Sequence, residues 1–450
     1  MKNNKAIFLE NKSLAKKMVA ELSEKKGEPG WMTDFRLNAY NLFTSMPMPT
    51  WGVDLSQLSF DDICYYLNPI DQKARSWDDV PANIKKTFDA LGIVEAERSV
   101  LAGLGAQFES EVIYKALKKE WLEQGVIFND TETALKEHET LFKKYFSTVI
   151  SANDNKFAAL NSAVWSGGSF VFVPTGVHIS MPLQAYFRID APAMGQFERT
   201  LIIAEPGSFV HYVEGCSAPV YRSSSLHSAV VELIALPGSH IRYTTIQNWS
   251  NNVYNLVTKR AIAHEAATVE WVDGNFGSYK TMKYPAVILQ GARAHGKVIS
   301  IAVAKHSQQH DSGAKIIHAA PFTTSQVIAK SISSDGGRSA YRGLLKVTKD
   351  AADTVASVQC DALLLDSISQ ADTYPTISVH NDTACVSHEA TVKSIDARQL
   401  LYLQSRGLSK QQAQALILGS FISVFIDMLP MEYAVEINRL ISLEIEESVG

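Results

Sequence analysis

The residues of this chain best suited to chemistry are cysteines with polar neighbours. Cys216 lies in the string Tyr-Val-Glu-Gly-Cys-Ser-Ala-Pro, in which Gly215 and Pro219 indicate a strand end or a corner. A thiol at such an accessible place can accept or carry a sulfane sulfur, provided that a nearby cation lowers its pKa. The alternative is that Cys216 is a small buried hydrophobic residue, as most free cysteines are.

A second group of candidate residues lies nearer the C-terminus. Cys360 occurs in a strand-like string, and Cys385, His388 and Glu389 follow about 28 residues later. If one turn of a solenoid has that length, neighbouring turns bring a thiolate, an imidazole and a carboxylate together, a ligand set suited to iron, an iron–sulfur cluster or zinc. Cys385 and His388 would point to opposite faces of a regular strand. The alternative for His388 is a hydrogen-bonded core histidine.

Several common catalytic motifs do not occur in the sequence. There is no G-x-x-x-x-G-K-[ST] phosphate loop, and Gly103 and Gly105 lack the third glycine of a dinucleotide fingerprint. There is no G-x-S-x-G elbow and no C-x-x-C pair, which argues against an α/β-hydrolase and a zinc knuckle. His306 and His310 lie in a polar stretch that we interpret as a solvated loop.

Length and composition restrict the class of protein. The chain has 450 residues, of which 46% are hydrophobic and 20% are charged, which is enough for a sizeable core. The formal net charge of -5 provides no basic field for nucleic acid. Apolar runs of about 18 residues are missing, and residues 1–17 lack the apolar stretch of a signal peptide. We therefore expect no membrane association and a cytoplasmic protein with reduced cysteines.

The predicted elements change character twice along the chain. Residues 1–152 are predicted to be mostly helical, residues 153–396 to be a β-rich core, and residues 397–450 to be a C-terminal helical domain. Ser409–Gln412 has the pattern of a capping box. The candidate helices lie at 14–25, 81–91, 110–125, 133–146, 413–429 (ending at Pro430) and 431–446.

A quasi-repeat of about 30 residues runs through the β-rich region. The strings that begin at Gly207, Gly238, Ala267 and Gly296 each place a small residue before an alternating run. A repeat of this length is typical of a solenoid, whose stacked turns bury one face of every strand. We therefore favour a mainly β fold with a β-helix core over a sandwich with evenly spaced hairpins. The apolar C-terminal helices must pack on this solenoid or on a partner.

Longer strings of the sequence are more specific than spacing. Examples are Tyr-Thr-Thr-Ile-Gln-Asn-Trp-Ser-Asn-Asn-Val-Tyr-Asn at 243–255 and Cys-Asp-Ala-Leu-Leu-Leu-Asp-Ser at 360–367. Together these strings resemble the SufB family, and the resemblance extends from about residue 30 to the C-terminus. The other matching segments are 74–80, 159–170, 182–188, 194–200, 211–216, 330–333, 341–343, 388–391, 405–408 and 430–433.

The resemblance implies a fold and a set of partners. Proteins of the SufB/SufD family have a right-handed parallel β-helix core flanked by helical regions. They act as scaffolds, not enzymes, on which sulfur and iron form a transient iron–sulfur cluster. The implied partners are a SufC-type ABC ATPase bound by the C-terminal helices, a SufD-type paralogue or a second copy, and a cysteine desulfurase with a SufE- or SufU-type sulfur carrier. The resemblance leaves open whether a flavin is also bound.

The same resemblance implies roles for individual residues. Cys216 matches the sulfur-accepting cysteine, and Cys360 matches a cysteine proposed as sulfur recipient and cluster ligand. His388 and Glu389 match a polar pair proposed near the assembly site at the SufB–SufD interface. The positions that match the lining of the sulfur route inside the β-helix are Arg188, Gln247 and Trp249.

Some positions depart from the family pattern or leave alternatives. Arg188 is expected to favour the Cys216 thiolate, since a basic side chain beside a thiol lowers its pKa. Cys385 stands where relatives usually carry an aliphatic residue, so we expect it in the core, with an added cluster ligand as the alternative. Glu265 stands where some relatives are basic. The alternative functions are a SufD-like structural partner without sulfur handling and a carbohydrate-active β-helix enzyme, although the repeats carry no clear acidic cluster.

Overall fold

The computed structural model describes residues 7–8, 14–68, 101–218, 221 and 223–429. The predicted helices at 81–91 and 431–446, and the helix end at Pro430, lie outside these residues. None of the described helices is both long and apolar enough to cross a membrane. The described helices are α1 Lys16–Lys26, α2 Gly30–Ser45, α3 Lys119–Leu122, α4 Thr131–Glu137, α5 Glu139–Tyr145, α6 Lys156–Val164, α7 Ala397–Ser405 and α8 Lys410–Ile426, with a 3-10 helix at Phe60–Asp62.

Parallel strands dominate the described residues and stack into a solenoid of about eight turns. This confirms the predicted mainly β fold with flanking helices. The strands are β1 Ile7–Phe8, β2 Leu67–Asn68, β3 Gly103–Phe108, β4 Glu111–Leu117, β5 Ile127–Asp130, β6 Ser169–Val173, β7 Leu183–Arg188, β8 Gly195–Gln196, β9 Arg199–Ala204, β10 Phe209–Ser217, β11 Ser225–His227, β12 Val230–Ala235, β13 His240–Trp249, β14 Val253–Ala263, β15 Thr268–Gly277, β16 Lys280–Lys283, β17 Ala286–Leu289, β18 His295–Lys305, β19 Gln309–Ser312, β20 Lys315–His318, β21 Thr324–Ser334, β22 Arg338–Val347, β23 Val355–Leu364, β24 Gln370–Val379 and β25 Cys385–Ser394.

The solenoid has two long sheets. One has the order β25-β23-β21-β18-β15-β13-β10-β7-β3-β4, and the other has the order β16-β19-β22-β20-β17-β14-β12-β9-β6-β5. In the first sheet Phe209 pairs with His240, which pairs with Thr268 and then His295, so each turn takes about 30 residues. The predicted repeat copies therefore correspond to the successive strands β10, β13, β15 and β18.

Alternation along the strands divides the side chains between an interior and an outer face. The interior holds a continuous apolar cluster that runs from Leu183 on β7 to Val358 on β23 and contains both Cys216 and Cys360. Aromatic side chains stack along one column, where Tyr243 lies 5.1 Å from Trp271 between ring centroids. The interior is thus closed to solvent and filled by side chains, most of them apolar and some of them polar.

The predicted helix at 110–125 is wrong over residues 111–117, which form a strand, and only α3 within it is helical. Residues 103–117 form an antiparallel hairpin, β3–β4, and β3 in turn pairs in parallel with β7 at the first turns of the solenoid. The apolar spacing fits a helix and a strand alike, and the tertiary pairing decides between them. Gly103 permits this pairing, because an added Cβ would lie 2.8 Å from the backbone oxygen of Ala116 and from the ring of Phe128.

The N-terminal helices pack on the outer face of the solenoid. α1, α2 and α6 pack through Met18, Ala39 and Leu160 on an outer cluster that includes Leu256 of β14. The predicted helix at 133–146 is present as α4 and α5, which are separated by the non-helical backbone of His138.

The C-terminal helix α8 packs along the outer face of the first sheet. Its capping box is formed as predicted, with Ser409 and Gln412 each bonding the other's backbone. Ile422 and Phe425 join a cluster with residues of β15 and β18. Gly274 makes room for this contact, since a Cβ there would lie 2.8 Å from the Phe425 ring. The solenoid therefore covers one face of α8, while Leu401 and Tyr402 of α7 stay exposed.

The interpretation of residues 306–310 as a solvated loop is only half correct. His306 is exposed at a turn with a positive φ of 51°. His310 is buried on β19, and its Nε2 lies 2.6 Å from the carbonyl oxygen of Gly277. Burial lowers the pKa of His310 to about 4. The short strand went unrecognised because its polar residues bond to neighbouring turns and not to solvent.

Candidate functional site

Cys216 lies on the inner face of β10. Its register partner on β13 is Gln247, which pairs in turn with Asn275 on β15. The side chain is 3% exposed and belongs to the main interior cluster. The expected accessible position is wrong, because β10 continues to Ser217 and keeps the thiol inside the solenoid.

Two buried glutamates surround the Cys216 thiol. The thiol donates a hydrogen bond to Glu214 Oε1 at 3.5 Å, and the Tyr243 hydroxyl donates to the other oxygen of that carboxylate. A ligand atom of Glu198 lies within 4.8 Å of both. Burial raises the pKa of the Cys216 thiol well above its usual range. The two carboxylates raise it further, and Lys259 opposes them.

Arg188 does not supply the cation expected beside Cys216. It pairs in register with Ser217, and its guanidinium donates to the Ser217 hydroxyl and to the Asp190 carboxylate, each at 3.2 Å. Because consecutive residues of a strand face opposite sides, this places Arg188 on the side away from the thiol. The cations that act on Cys216 are Lys259 and Lys283 of the opposite sheet.

A chain of hydrogen bonds leads from the opposite sheet to the two glutamates. Lys283 Nζ and Asn255 Nδ2 both donate to Gln247 Oε1, at 3.1 and 2.8 Å. Asn255 Oδ1 consequently faces His227 Nδ1 at 2.7 Å. The other ring nitrogen of His227 lies 2.5 Å from Glu198 Oε1. Gln247, a predicted lining residue, is therefore a connecting member of a buried polar network.

The same network contains a buried cluster of charges. Asp273 accepts from Lys259 at 3.1 Å and from Lys283 at 3.2 Å, and all three side chains are almost fully buried. Burial alone would raise the pKa of Asp273, but the two ammonium groups hold it below its usual range. Burial lowers the pKa of Lys283 to about 8. Trp249, another predicted lining residue, lies on the His227 ring at 4.7 Å between centroids.

Cys360 lies on the inner face of β23, at the other end of the same interior. Its sulfur is 3.9 Å from His388 Nε2 on β25, so the predicted stacking of these two segments on neighbouring turns is confirmed. Burial raises the pKa of the Cys360 thiol to about 12, although a hydrogen bond from the Tyr341 hydroxyl favours the thiolate. Tyr341 lines two small cavities, one beside Cys360 and one beside His388.

Glu389 and Cys385 lie on the outer face of β25. Both are exposed, in contrast to His388 between them, whose side chain turns inward. The expectation of a core position for Cys385 is therefore wrong: the residue opens the last described strand, and its register partner, Val355, is itself 52% exposed. Glu389 joins neither the Cys360 sulfur nor the imidazole within this chain, since strand alternation separates them.

The two interior cysteines lie far apart along the solenoid axis. Glu214, two residues before Cys216, starts a register column that continues through Thr245, Asp273, Ser300 and Ala329 to Cys360. That column has five steps between strands, and at about 4.8 Å a step it spans about 24 Å. No direct contact between the two thiols is made within the described chain.

Several members of the site were not predicted from the sequence. Glu198, His227, Asn255 and the Lys259–Asp273 pair come from different turns, and their proximity depends on register. Glu214 carried a usable signal, because a carboxylate two residues from Cys216 on one strand must share its inner face. All four cysteines are unpaired, as expected of reduced thiols.

Comparisons with known proteins show what this chain is similar to. Residues 187–421 match the family described as "SUF system FeS cluster assembly, SufBD core domain", and residues 99–185 match the "SufBD protein N-terminal region". An "Iron-sulfur cluster assembly SufBD family protein" of Staphylococcus aureus (strain USA300) is 56% identical over 445 residues, covering 99% of this chain and 96% of that protein. A protein of the same description from Staphylococcus haemolyticus (strain JCSC1435) has the same identity and coverage.

Proposed function

The chain belongs to the SufBD family of iron–sulfur cluster assembly proteins, and from this premise we propose that it is a SufB-type scaffold. In that role it accepts sulfur as a persulfide, receives iron and passes clusters to apo-proteins within a SufBCD-type complex in the cytoplasm. The observation that carries the proposal is that Cys216 and Cys360 both face one enclosed interior. A SufD-like structural subunit would not require two thiols in that interior.

Sulfur acceptance is proposed to begin at Cys216. The thiol gives its proton to the Glu214 carboxylate, and the thiolate attacks the outer sulfur of a donor persulfide. The S–S bond of the donor breaks, the donor leaves as a thiolate, and the outer sulfur stays on Cys216 as a new persulfide. This exchange needs no external oxidant or reductant. A built-in base is required here, because burial strongly disfavours the free thiolate.

The sulfur is then proposed to travel inside the solenoid toward Cys360. A span of about 24 Å excludes a single exchange between the two thiols, because reacting atoms must approach to about 3.5 Å. Gln247 and Trp249 stand at the start of this route, and Arg188 stands beside Ser217 at its margin. The buried polar residues of the interior supply hydrogen-bond partners for a mobile sulfur species.

Cys360 and His388 are proposed to bind iron together with the arriving sulfur. A thiolate and an imidazole at 3.9 Å are ligands that iron accepts, and metal binding would displace the proton held by Cys360. Glu389 lies on the outer face and would join such a site only where a partner subunit covers it. The cluster is cargo in this scheme, and we assign no residue to a flavin.

The partners are proposed from exposed surfaces of the described residues and from the position of Cys216. Among the described strands β24 and β25 each pair with one strand only, and we propose that this turn binds a SufD-type paralogue or a second copy. The exposed Leu401 and Tyr402 of α7 would contact the SufC-type ATPase. A cysteine desulfurase with a SufE- or SufU-type carrier would deliver sulfur at the Cys216 end.

Anaerobic reconstitution tests the scaffold proposal. The full chain is incubated with iron and a sulfur source, and bound iron, acid-labile sulfide and visible absorption are compared between wild type and Cys360→Ser. We expect stoichiometric iron and sulfide in wild type and loss of both in the variant. With desulfurase-derived sulfur, Cys216→Ala is expected to build clusters poorly. If neither protein holds a cluster even with the ATPase and a SufD-type partner present, the SufD-like alternative is correct.

A further inference from the structure

The group around Cys216 has the composition of a metal site as well as that of a sulfur acceptor. Cys216, Glu214 and Glu198 offer a sulfur and two carboxylate oxygens whose ligand atoms all lie within 4.8 Å of one another. All three side chains are almost fully buried, at 3%, 1% and 0% exposure. Three groups that are anionic when deprotonated thus converge where water cannot screen them.

An unpaired oxygen points to a missing positive partner. Glu198 Oε1 is held by His227, but Glu198 Oε2 is buried without a hydrogen-bond partner among the residues that the structure describes. A buried carboxylate oxygen without a partner is costly, so its presence calls for a proton donor or a cation. The lysines of the interior do not fill this role, because Lys259 bonds Thr245 and Asp273.

The distance between the sulfur and one carboxylate oxygen fits a tetrahedral centre. Bonds of about 2.3 Å to sulfur and about 2.0–2.2 Å to oxygen at tetrahedral angles place the two ligand atoms about 3.5 Å apart. The Cys216 sulfur lies 3.5 Å from Glu214 Oε1. His227 would act as the outer partner that orients the Glu198 carboxylate, and Tyr243 would do the same for Glu214.

We propose that Cys216, Glu214 and Glu198 form a binding site for a divalent transition-metal ion, iron(II) or zinc(II). A thiolate with two carboxylates selects these ions over magnesium or calcium, which take oxygen ligands alone. The bound ion replaces the proton of the thiol and neutralises the buried carboxylates. The ion and a persulfide sulfur would use the same Cys216 thiolate, so the two exclude each other at any one time. Metal binding itself does not rest on the proposed function.

Cobalt(II) binding to the full chain tests the site. The protein carries Cys360→Ser, which removes the other candidate thiol ligand, and is incubated anaerobically with cobalt(II) until its absorption is constant. We expect one ion per chain with a thiolate-to-cobalt charge-transfer band. That band should disappear with Cys216→Ser, and Glu198→Gln should weaken binding at least about tenfold. Cys64→Ser, which removes a half-buried thiol outside the group, should change neither.

A second measurement avoids the risk that a buried substitution prevents folding. Cobalt(II) or iron(II) should slow alkylation of Cys216 in the Cys360→Ser protein, as located by mass spectrometry, without slowing that of the exposed Cys385. Binding that persists unchanged in Cys216→Ser, or alkylation of Cys216 that is insensitive to metal, would overturn the proposal. Either result leaves cluster reconstitution on wild type unaffected, so the two hypotheses fail separately.

Discussion

At the scale of single residues, the four cysteines differ mainly in access to solvent. Cys385 is exposed, Cys64 is half-buried, and Cys216 and Cys360 are enclosed in the solenoid. Burial raises the pKa of all three of these enclosed or half-buried thiols, which keeps them protonated at neutral pH. Reactivity toward small electrophiles follows thiolate content and exposure, so one cysteine should dominate.

Alkylation kinetics should therefore separate Cys385 from the other thiols. With iodoacetamide at pH 8 the native protein is expected to show one fast-reacting cysteine, and Cys385→Ser should abolish the fast phase. Mass spectrometry of timed samples gives the order of modification. Rapid labelling of Cys216 in the native protein would show that the solenoid interior is open, contrary to the structure.

Glu109 is the residue from which a pH effect on stability is expected. It is 2% exposed at the β3–β4 turn, and burial raises its pKa to about 7, opposed by hydrogen bonds from the Asp190 and Ala191 backbone and by Arg188. The folded protein thus holds this proton between about pH 4.5 and 7, where the unfolded chain releases it. The contribution of Glu109 to stability is full below this range and is lost as the pH rises through it.

Glu109→Gln should remove that loss, because a glutamine keeps the shape and does not ionise. Relative to wild type, the variant is expected to gain about 3 kcal/mol of unfolding free energy between pH 4.5 and 7.5, at about 1.4 kcal/mol for each tenfold change in proton affinity. Thermal unfolding followed across this range measures the gap. If the stability of the two proteins changed with pH in the same way, the raised pKa of Glu109 would be contradicted.

At the scale of elements, the corners of the solenoid are where neighbouring turns approach most closely. Gly277 has a φ of 72°, and an added Cβ would lie 1.7 Å from the carbonyl oxygen of Trp249 on the preceding turn. Gly207 has a similar φ of 67°, but an added Cβ there would meet nothing within 4 Å. A substitution at Gly207 would therefore introduce backbone strain alone, whereas one at Gly277 would add a steric collision between turns.

Alanine substitutions should therefore have unequal effects. Gly207→Ala carries only the strain of a left-handed alanine, about 1 kcal/mol. Gly277→Ala must also push β13 and β15 apart beside Trp249, and we expect a loss of several times that amount with reduced soluble yield. Thermal midpoints of both variants against wild type provide the comparison. Equal midpoints would show that the turns can separate without loss.

The corners also explain how far the sequence could predict the fold. The positive-φ residue before successive strands of the first sheet is Gly207, then Gly238, and then Ala266, Arg293, Phe322 and Asp353. Only the first two are glycines. The sequence repeat is therefore recognisable in the first turns and not in the later ones, although the same positive-φ corner recurs in all of them. Alternation sufficed to place Cys360 on a strand, and a turn of about 28 residues sufficed to bring His388 to Cys360. Cys216 was expected at an accessible strand end or corner, and its buried position on β10 did not follow from the sequence pattern.

The remaining site residues depended on contacts that sequence patterns do not encode. Arg188 could be placed on a strand, but its pairing with Ser217 follows from the exact register of β7 on β10. The helix expected at 110–125 was wrong because residues 111–117 pair as β4 with β3, which in turn pairs with β7. In both cases the deciding energy comes from pairing with a neighbouring strand, which the pattern of a single segment does not encode.

At the scale of the whole molecule, the described chain exposes apolar side chains on its last turn and on α7. The open turn carries Val379 and Val392, at 42% and 52% exposure, and α7 carries Leu401 and Tyr402, at 67% and 61%. Strands that pair on one side only promote association with another strand, whereas an exposed helix face favours packing. Substitution at each region should therefore affect one assembly and spare the other.

Charge substitutions test this separation. Val379→Lys with Val392→Lys is expected to weaken pairing with a second copy or a SufD-type chain at least about tenfold, because lysines on an edge oppose strand addition. Leu401→Lys should weaken binding of the ATPase instead. Size-exclusion chromatography with light scattering, with and without each partner, gives both results. Loss of both assemblies from either change would argue for one shared interface.

The stacked arrangement has a consequence for how the molecule opens. Each turn of a solenoid is held mainly by its two neighbours, and β25 has only β23 beside it among the described strands. Fraying from that end can release His388 and uncover Cys360 without disturbing the turn that holds Cys216. Cys360, the thiol proposed to bind the assembled cluster, is thus covered by β25, the described strand of the first sheet that is expected to open most easily. Amide hydrogens of β25 should therefore exchange long before those of β13.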